Sequence, residues 1–556
     1  METAPKYGNW KGPRVLDNPQ ATASCPPKVR AGGPPGVSSQ DRVGHNEVTA
    51  TRETHKTASA TTHPPASLTC KVEDIDLWGS EVPIVAAKSG NADGAKGHRF
   101  KPDAARRQVP DAEPDKDLNT DLQRLTQKAK GNLKERFTSL MGMLFRPAGL
   151  HESLERLAAN KAPGVDGIRK ADYVKEASPR INDLSARLRR LGYRPKPCRR
   201  VYIPKANGGR RPLGIPSFED RIVQDRLSRI LQAIWEPEFR NCSYGFRPGR
   251  SAHDALQRLG EIVTQERTQW VVEADIKGFF NHVSHQHLLR FLRHRIGDER
   301  MIRILRRFLK AGVMADGVFS ATEEGTPQGG LVSPVLANIY LHYVLDWWFE
   351  GRVTKACRGK AYLIRYADDF VACFQEEADA RQFVRELAER LAAFGLETEP
   401  TKTAILKFGT DSWIQSRRPA GPRPETFSLL GFTHYVTTSR TGKFLVGRKT
   451  EGSRMRKKLK ELNQRVRELR TSGGAKMVQY VHRHLNGHFG YYGVSGNSRS
   501  IGEYSYCAMK ILFKWLNRRS QKRSLTWERY RTLLKEGLLP KPCIVRHLYP
   551  KSMYPS

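Results

Sequence analysis

The sequence predicts an α+β fold, in which a mostly antiparallel sheet carries helices on one face and is followed by a basic helical region. Between residues 116 and 450, short β-prone runs alternate irregularly with apolar patterns of helical period. Turn-forming residues join several neighbouring runs, as they do in antiparallel hairpins. After residue 450, an apolar stripe at helical spacing is surrounded by Lys and Arg, which predicts amphipathic helices.

The composition favours a nucleic-acid partner. The 556-residue chain has a net charge of +38 and a pI near 10.1, and basic side chains gain affinity for polyphosphates by releasing counterions. A membrane surface is the other common partner of basic chains, but the sequence has no run of about 18 apolar residues. The eight cysteines contain no CxxC pair and the N-terminus lacks a leader pattern, so we expect reduced thiols and a cytoplasmic protein.

Two adjacent acids, Asp368 and Asp369, lie between apolar stretches in residues 361–374, which predicts a β-hairpin with the acids at its tip. Carboxylates that point the same way repel each other unless a cation lies between them, so the pair favours a divalent metal. An Asx turn at a surface hairpin is the alternative interpretation. Asp275, at the end of a predicted strand over residues 270–276, would be a third carboxylate or simply a turn residue.

A second hairpin is predicted where Asn207 and two glycines separate β-prone runs. Lys205 and Arg211 lie on opposite legs of this hairpin, and two converging cations suit a triphosphate. A solvated hairpin at a sheet edge is the alternative. His484 and His488 would share a helix face, but no nearby Cys or acid completes a metal site with them.

The C-terminal region carries the most one-sided charge. Residues 451–550 contain 22 Lys and Arg against six Glu and no Asp, which favours RNA or DNA over a merely solvated surface. Aromatic residues are interleaved with these cations, either to stack on bases or to pack between helices. The candidate RNA-binding residues are Arg454, Lys457, Lys458, Arg465, Arg518 and Arg519.

Five blocks in a fixed order resemble the reverse transcriptase family, and specifically the proteins encoded by bacterial group II introns. They are residues 241–253 (NCSYGFRPGRSAH), 275–280 (DIKGFF), 326–330 (TPQGG), 366–369 (YADD) and 429–432 (LLGF). The resemblance implies a right-hand polymerase fold, with fingers and palm over 116–425 and a thumb and maturase region (domain X) over 426–535. Residues 1–115, rich in Pro, Gly, Ser and Thr, are predicted to be a disordered tail, and 536–556 a short C-terminal tail.

The resemblance also implies residue roles. Asp275, Asp368 and Asp369 would hold two Mg²⁺ ions, with the Ile276 carbonyl as a further ligand. Phe280 matches the position of a ring that excludes the ribose 2′-hydroxyl. The residues that would bind the incoming nucleotide are Lys205, Arg211, Gly278, Phe279, Phe280 and Gln328.

The function that follows is RNA-directed DNA synthesis combined with assistance to the splicing and mobility of an intron. The expected partners are group II intron RNA, an RNA template, a DNA primer, dNTPs and target DNA, at the nucleoid of a bacterial cytoplasm; a homodimer is left open. One alternative is a domesticated, defence-associated or CRISPR-associated reverse transcriptase, and another is a splicing maturase without polymerase activity. Residues 535–556 are too short for a nuclease domain, so we expect no second-strand cleavage and a primer from elsewhere, such as a nascent strand at a replication fork.

Overall fold

The computed structural model describes residues 116–204, 209–315, 317–326, 329–439, 441–518 and 525–549, without the side chains of 116–120, 204 and 211. The predicted disordered tail lies outside these residues. The predicted α+β class is confirmed, since three sheets are surrounded by helices and followed by a helical region. The strands are β1 (Cys198–Pro204), β2 (Arg210–Ile215), β3 (Trp270–Ala274), β4 (Val313–Ala315), β5 (Val318–Ser320), β6 (Ala361–Tyr366), β7 (Asp369–Phe374), β8 (Ala404–Lys407), β9 (Phe427–Leu429), β10 (Phe432–Thr438) and β11 (Phe444–Thr450).

The helices pack around these sheets in two groups, one before β9 and one after β11. They are α1 (Lys116–Gly131), α2 (Met141–Phe145), α3 (Pro147–Arg156), α4 (Lys170–Val174), α5 (Ala177–Arg189), α6 (Phe218–Trp235), α7 (Ala252–Gln265), α8 (Phe279–His282), α9 (His285–Arg295), α10 (Glu299–Leu309), α11 (Ser333–Leu341), α12 (Thr354–Ala356), α13 (Glu377–Ala392), α14 (Thr410–Ser416), α15 (Gly452–Glu468), α16 (Gly474–Tyr492), α17 (Ser498–Asn517) and α18 (Trp527–Lys535). Two π-helical segments, His342–Asp346 and Phe349–Val353, continue α11.

The central sheet has the order β6-β7-β3-β8, and all its neighbouring strands are antiparallel. Alternation along β3 sends Val272 and Ala274 to one face and Val271 to the other. Both faces are covered, so the prediction of helices on one face only is wrong: the first side packs on α6, α9, α11 and α13, and the second packs on α7 and the C-terminal helices. The sheet is therefore held between two apolar cores, and only its strand ends are open to bind a ligand.

The second predicted hairpin is present. β1 and β2 pair antiparallel from Arg199 opposite Ile215 to Pro204 opposite Arg210, and β4 extends the sheet in parallel with β1. A third sheet, β11-β10-β9, includes a two-residue turn at Leu430 and Gly431, both with positive φ (53° and 80°). Positive φ at both positions is typical of the type I′ turn, whose twist matches that of a hairpin.

The C-terminal helices build the second core. Leu459, Leu462 and Val466 of α15 are buried, as the apolar stripe predicts. The segment after α18 packs on this region as well, since Leu539 and Leu548 are buried and the Val545 amide donates to the carbonyl of Gly493. Among the described residues, no helix is both long enough and apolar enough to cross a membrane.

Candidate active site

The Asp-Asp hairpin has a tighter turn than the sequence suggested. β6 and β7 pair as far as Tyr366 opposite Asp369, so Ala367 and Asp368 alone form the turn. Ala367 has φ of 60°, a left-handed conformation that is uncommon for residues other than glycine. Asp368 is half-buried in the turn, and Asp369 is the exposed first residue of β7. The two acids therefore lie at the strand junction and not together on the tip.

Asp275 lies beside this turn. β3 pairs antiparallel with β7 through Ala274 opposite Phe370, so the same register places Asp275 opposite Asp369. Directly opposed residues of antiparallel strands have Cα atoms about 4.5–5.5 Å apart. Asp275 and Asp369 also line one open cleft of about 500 Å³, whose far wall includes Arg454. The structure thus brings the three predicted carboxylates to one edge of the central sheet.

The electrostatics of this cleft favour a cation. Asp369 is open to solvent at the cleft, yet protein atoms surround its carboxylate on the other sides. This desolvation, followed by the charges of Asp368 and Asp275, raises the pKa of Asp369 from 3.8 to about 6. The Lys402 ammonium forms an ion pair with the Asp275 carboxylate, and this contact raises the pKa of Lys402. A cluster of carboxylate oxygens with excess negative charge is the donor set that Mg²⁺ prefers. The chemistry of these carboxylates suits a divalent metal, although no three His, Cys, Asp or Glu side chains among the described residues already converge on one metal position.

A buried charge pair lies directly beneath the turn. Arg365, the residue before Tyr366, is fully buried, and its guanidinium contacts the carboxylate of Asp346 at 2.6 and 2.5 Å. Asp346 is also fully buried, and it ends the first π-helical segment. The turn that carries Asp368 therefore packs on a fully buried ion pair.

Comparison with known proteins agrees with this geometry. Residues 203–434 match the family described as reverse transcriptase (RNA-dependent DNA polymerase). Protein YkfC of Escherichia coli is 35% identical over 282 residues, which cover 45% of this chain and 74% of that protein. The chain belongs to the reverse transcriptase family.

Within that family the chain is similar to intron-encoded proteins. The group II intron-encoded protein LtrA of Lactococcus lactis is 39% identical over 222 residues, and the putative COX1/OXI3 intron 1 protein of Saccharomyces cerevisiae is 33% identical over 181 residues. The matched segments cover 40% and 32% of this reverse transcriptase. They span only 37% and 21% of those relatives' own length.

The predicted nucleotide-binding residues of this reverse transcriptase follow Asp275. Gly278 adopts φ of 56°, which turns the chain into α8. Phe279 is buried in the core, and the half-buried ring of Phe280 lies edge-on to it at 5.2 Å between centroids. Ile276 is buried beside Asp275. The structure therefore leaves Phe280 as the aromatic ring of this pair that is partly open.

The β1–β2 hairpin carries part of a second group of predicted nucleotide-binding residues. Arg211 lies opposite Ile203 on β2, while its side chain, Lys205 and Gln328 lie outside the described residues. The loop that carries Gln328 rejoins the described chain at Gly329, where an added Cβ would lie 2.4 Å from the carbonyl oxygen of Gly214. Gly329 is thus packed against β2.

The structure separates the candidate RNA-binding residues into different environments. Arg454 lines the cleft and pairs with Glu451 at 3.0 Å, while its side chain stays 56% exposed to solvent. The Lys458 ammonium lies 4.8 Å from the Tyr492 ring centroid, and burial lowers its pKa.

Two other candidates are exposed. Arg465 pairs with Glu468 at 2.7 Å, and the exposed Arg518 lies 5.7 Å from the ring of Trp515. Lys457 is half-buried, and Arg519 lies outside the described residues.

The histidines of α16 take part in packing. His488 is stacked on Tyr504 at 3.6 Å between centroids, and His484 lies 2.6 Å from the Tyr504 hydroxyl. Burial lowers the pKa of His484 to about 4 and that of His488 to about 3, so both rings are neutral. His482 lies 3.2 Å from the Asn486 side chain.

Sequence reasoning missed Lys402 and the pair formed by Arg365 and Asp346. Lys402 reaches Asp275 from a 3₁₀ turn 127 residues away, and no local pattern marks it. Arg365 did leave a signal, because an arginine inside an otherwise apolar strand needs a buried partner. Its partner, Asp346, lies in an apolar helical run where the same rule applies.

Proposed function

We propose that this reverse transcriptase extends a DNA primer on an RNA template by two-metal nucleotidyl transfer with Mg²⁺. The observation that carries the proposal is the convergence of Asp275, Asp368 and Asp369 on one edge of the central sheet. The raised pKa of Asp369 supports it, because burial and the charges of Asp368 and Asp275 disfavour the ionised form of Asp369, and a bound divalent cation would offset them.

The chain's part in this chemistry is to hold carboxylate oxygens at a fixed spacing. Neighbouring antiparallel strands set the separation of Asp275 and Asp369, and the tight turn adds Asp368. The Ile276 carbonyl is the further proposed ligand. When bound, the metal ions would favour ionisation of the primer 3′-hydroxyl and stabilise the leaving pyrophosphate oxygens.

Other residues of the cleft would bind and select the nucleotide. The β1–β2 hairpin would bring the cations of Lys205 and Arg211 to the nucleotide triphosphate. The backbone that follows Asp275 would lie beneath the triphosphate. The ring of Phe280, partly open above the buried Phe279, would exclude a ribose by contact with its 2′-hydroxyl. The proposed nucleotide-binding residues are Lys205, Arg211, Gly278, Phe279, Phe280 and Gln328.

Primer extension tests the polymerase proposal. Asp368→Ala should lower deoxynucleotide incorporation on an RNA template by at least about 10³-fold, while RNA affinity changes little. Asp183→Ala is the matched control, because Asp183 is an exposed acid of α5 paired with Arg187. Incorporation by Asp368→Ala at the rate of the control would refute the assignment of the three carboxylates.

We further propose that the C-terminal helices bind group II intron RNA and so assist splicing. Exposed cations on these helices, such as Arg465 and Arg518, support this proposal; Arg454 lines the cleft, and Lys458 is half-buried beside Tyr492. These helices share their apolar core with the face of the central sheet that carries Val271. Truncation would therefore expose that core, and substitutions of single exposed charges are the better test.

The paired substitutions Arg456→Ala and Arg518→Ala test RNA binding. Each lost phosphate contact should reduce the slope of log affinity against log salt by about one. Arg381→Ala with Arg385→Ala is the control, since both are exposed arginines on α13, among acids. If the variant with Arg456→Ala and Arg518→Ala binds and splices intron RNA as well as the control, the C-terminal helices do not bind this RNA. That result would leave the polymerase assignment unaffected.

A further inference from the structure

We propose that Arg365 is a positioning residue for the metal-binding carboxylates, acting through the peptide that joins Ala367 to Asp368. The inference rests on the proposed two-metal function. It assigns a role to a side chain that cannot itself reach substrate, because Arg365 is fully buried beneath the turn.

All five N–H donors of the Arg365 guanidinium have acceptors inside the protein. Nε and one Nη2 proton go to the two carboxylate oxygens of Asp346, at 2.6 and 2.5 Å. The other Nη2 proton goes to the hydroxyl of Ser243 at 2.8 Å. The two Nη1 protons go to the Asn338 side-chain oxygen at 3.0 Å and to the Ala367 carbonyl at 2.9 Å. One guanidinium thus joins the turn to two other parts of the chain, the helix that carries Asn338 and Asp346 and the loop at Ser243.

The bond to the Ala367 carbonyl is the one that matters for the site. Ala367 is held at φ of 60°, a left-handed conformation that is unfavourable for a residue other than glycine unless its surroundings fix it. The carbonyl of Ala367 belongs to the peptide that leads into Asp368. Fixing that oxygen therefore fixes the orientation of the peptide from which the Asp368 side chain projects.

The other side of the turn is closed by residues 243–245. The Arg365 amide donates to the carbonyl of Cys242, and the Tyr244 amide donates to the carbonyl of Arg365, both at 2.8 Å. Gly245 then packs so tightly that an added Cβ would lie 2.4 Å from the Ala367 nitrogen. The Asn338 amide group holds the Gly245 carbonyl at 2.7 Å. Asn338 therefore links both contacts that limit the movement of Ala367.

The π-helical segment explains how one helix supplies two partners. Asn338 and Asp346 are eight residues apart, and in a regular α-helix residues seven apart share a face. One extra residue in the π turn His342–Asp346 makes a spacing of eight equivalent to two α-helical turns. Both side chains therefore reach Arg365 from the same side.

Arginine is required here because no other cation has enough donors in one plane. Lysine keeps the charge but has three donors on a single atom, so at least two of the five acceptors would lose their bonds. Mg²⁺ demands near-octahedral geometry, and its affinity responds to small displacements of its ligands. Loss of the Ala367 contact should therefore weaken metal binding and slow chemistry more than it weakens nucleotide binding.

The test compares Arg365→Lys with Arg295→Lys in the full-length protein. Arg295 is also fully buried and ion-paired, at 2.6 Å to Glu238, but its other donors go to backbone carbonyls at the end of α1 and the start of the following loop. Mn²⁺ binding, measured by the loss of the free-ion signal in electron paramagnetic resonance, gives a readout independent of turnover. Primer extension then gives kcat and the KM for a dNTP.

Arg365→Lys should raise the Kd for Mn²⁺ by about tenfold and lower kcat by about 100-fold, with the KM for dNTP within about twofold of the wild type. Arg295→Lys should lower the melting temperature but leave the Kd and kcat unchanged. If Arg365→Lys does not fold, Asn338→Ala is tested instead. This variant removes the hydrogen bonds of Asn338 to the Gly245 carbonyl and to Arg365 Nη1. The Kd for Mn²⁺ should again rise and kcat should again fall.

Two results separate this inference from the proposed function. Wild-type protein that fails to bind Mn²⁺ would refute the metal proposal itself. Wild-type binding with an unchanged Kd and kcat in the folded Arg365→Lys or Asn338→Ala variant would overturn only the positioning role. Equal losses in Arg365→Lys and Arg295→Lys would likewise overturn it, since the effect would then be general destabilisation.

Discussion

Arg365 beneath the active-site turn and the arginines on the outer face of α10 place the same side chain in opposite situations. The Arg365 guanidinium is enclosed, and each of its donors meets an acceptor of the protein. Arg303 and Arg306 are exposed on α10, with their charges in solvent. An enclosed charge fixes the geometry of its neighbours, whereas an exposed charge is available to a ligand.

The difference matters because a buried ion pair is a poor source of stability. Removing two charges from water costs several kcal/mol per ion, and an apolar pair of similar volume often gives a protein of equal stability. The pair formed by Arg365 and Asp346 is therefore better explained by the position it gives to Ala367 than by its energy. The cleft carboxylates are intermediate between an enclosed and an exposed charge, since they are held in place by the protein but a bound cation has to neutralise them.

The largest effect should come from breaking the enclosed pair. Arg365→Met leaves the Asp346 carboxylate buried without its cation, so the free energy of unfolding should fall by about 3–5 kcal/mol. Arg303→Met on the exposed face should change it by less than about 0.5 kcal/mol. Urea unfolding followed by tryptophan fluorescence measures both.

The double variant Arg365→Met/Asp346→Leu sharpens this comparison. It removes both charges, so most of the lost stability should return while metal binding stays weak. If Arg365→Met unfolded at the same urea concentration as the wild type, the ion pair of Arg365 and Asp346 would not be buried in solution.

A smaller effect is expected from the cleft carboxylates, and it depends on pH. The pKa of Asp369 in the folded, metal-free protein is about 6, above the ordinary 3.8. Protonation therefore favours the folded state; this contribution to stability is complete below about pH 4 and is lost as the pH rises through about 6. Because Mg²⁺ competes with that proton, the increase in melting temperature that Mg²⁺ causes should be small at about pH 5 and larger at about pH 7.5.

Thermal unfolding with and without Mg²⁺ across this range measures the competition. Asp369→Asn is the control, since it removes the titrating group and should abolish most of the pH dependence. An Mg²⁺ effect of equal size at both pH values in the wild type would contradict the raised pKa.

The smallest effect should come from an exposed pair. Arg381 and Glu377 on α13 are in contact at 2.5 Å, four residues apart, and both are more than one-third exposed. Arg381→Ala should lower the free energy of unfolding by less than about 0.5 kcal/mol, because exposed pairs are screened by solvent and salt. Urea unfolding at low and high salt measures the loss. A loss comparable to that of Arg365→Met would remove the distinction between enclosed and exposed arginines.

Local pattern was enough to predict the elements that carry the carboxylates. Alternation identified β3 and the faces of Val272 and Ala274, and the apolar runs around Asp368 identified the hairpin. Turn chemistry identified the β1–β2 hairpin as well. These features depend on neighbours in sequence, so a single sequence is sufficient to find them.

Long-range pairing was not predictable in this way. Lys402 meets Asp275 only because a 3₁₀ turn returns to the end of β3, and Asp346 meets Arg365 only because a π turn shifts the helix register. The positions of Arg454 at the cleft and of Lys458 beside Tyr492 were not predictable either, since helical periodicity does not reveal which neighbouring element lies next to a polar residue.

The position of β3 in the central sheet has a consequence for synthesis of the protein. β3 pairs with β7 on one side and β8 on the other, but the first residue of β7 is translated about 95 residues after the end of β3. At bacterial and eukaryotic elongation rates this is a delay of roughly 5 to 20 s. During that interval an apolar strand with two unpaired edges is outside the ribosome, which is a condition that favours aggregation. We therefore expect the yield of folded enzyme to depend on elongation speed over codons 275–367, before the two aspartates of the turn have been made.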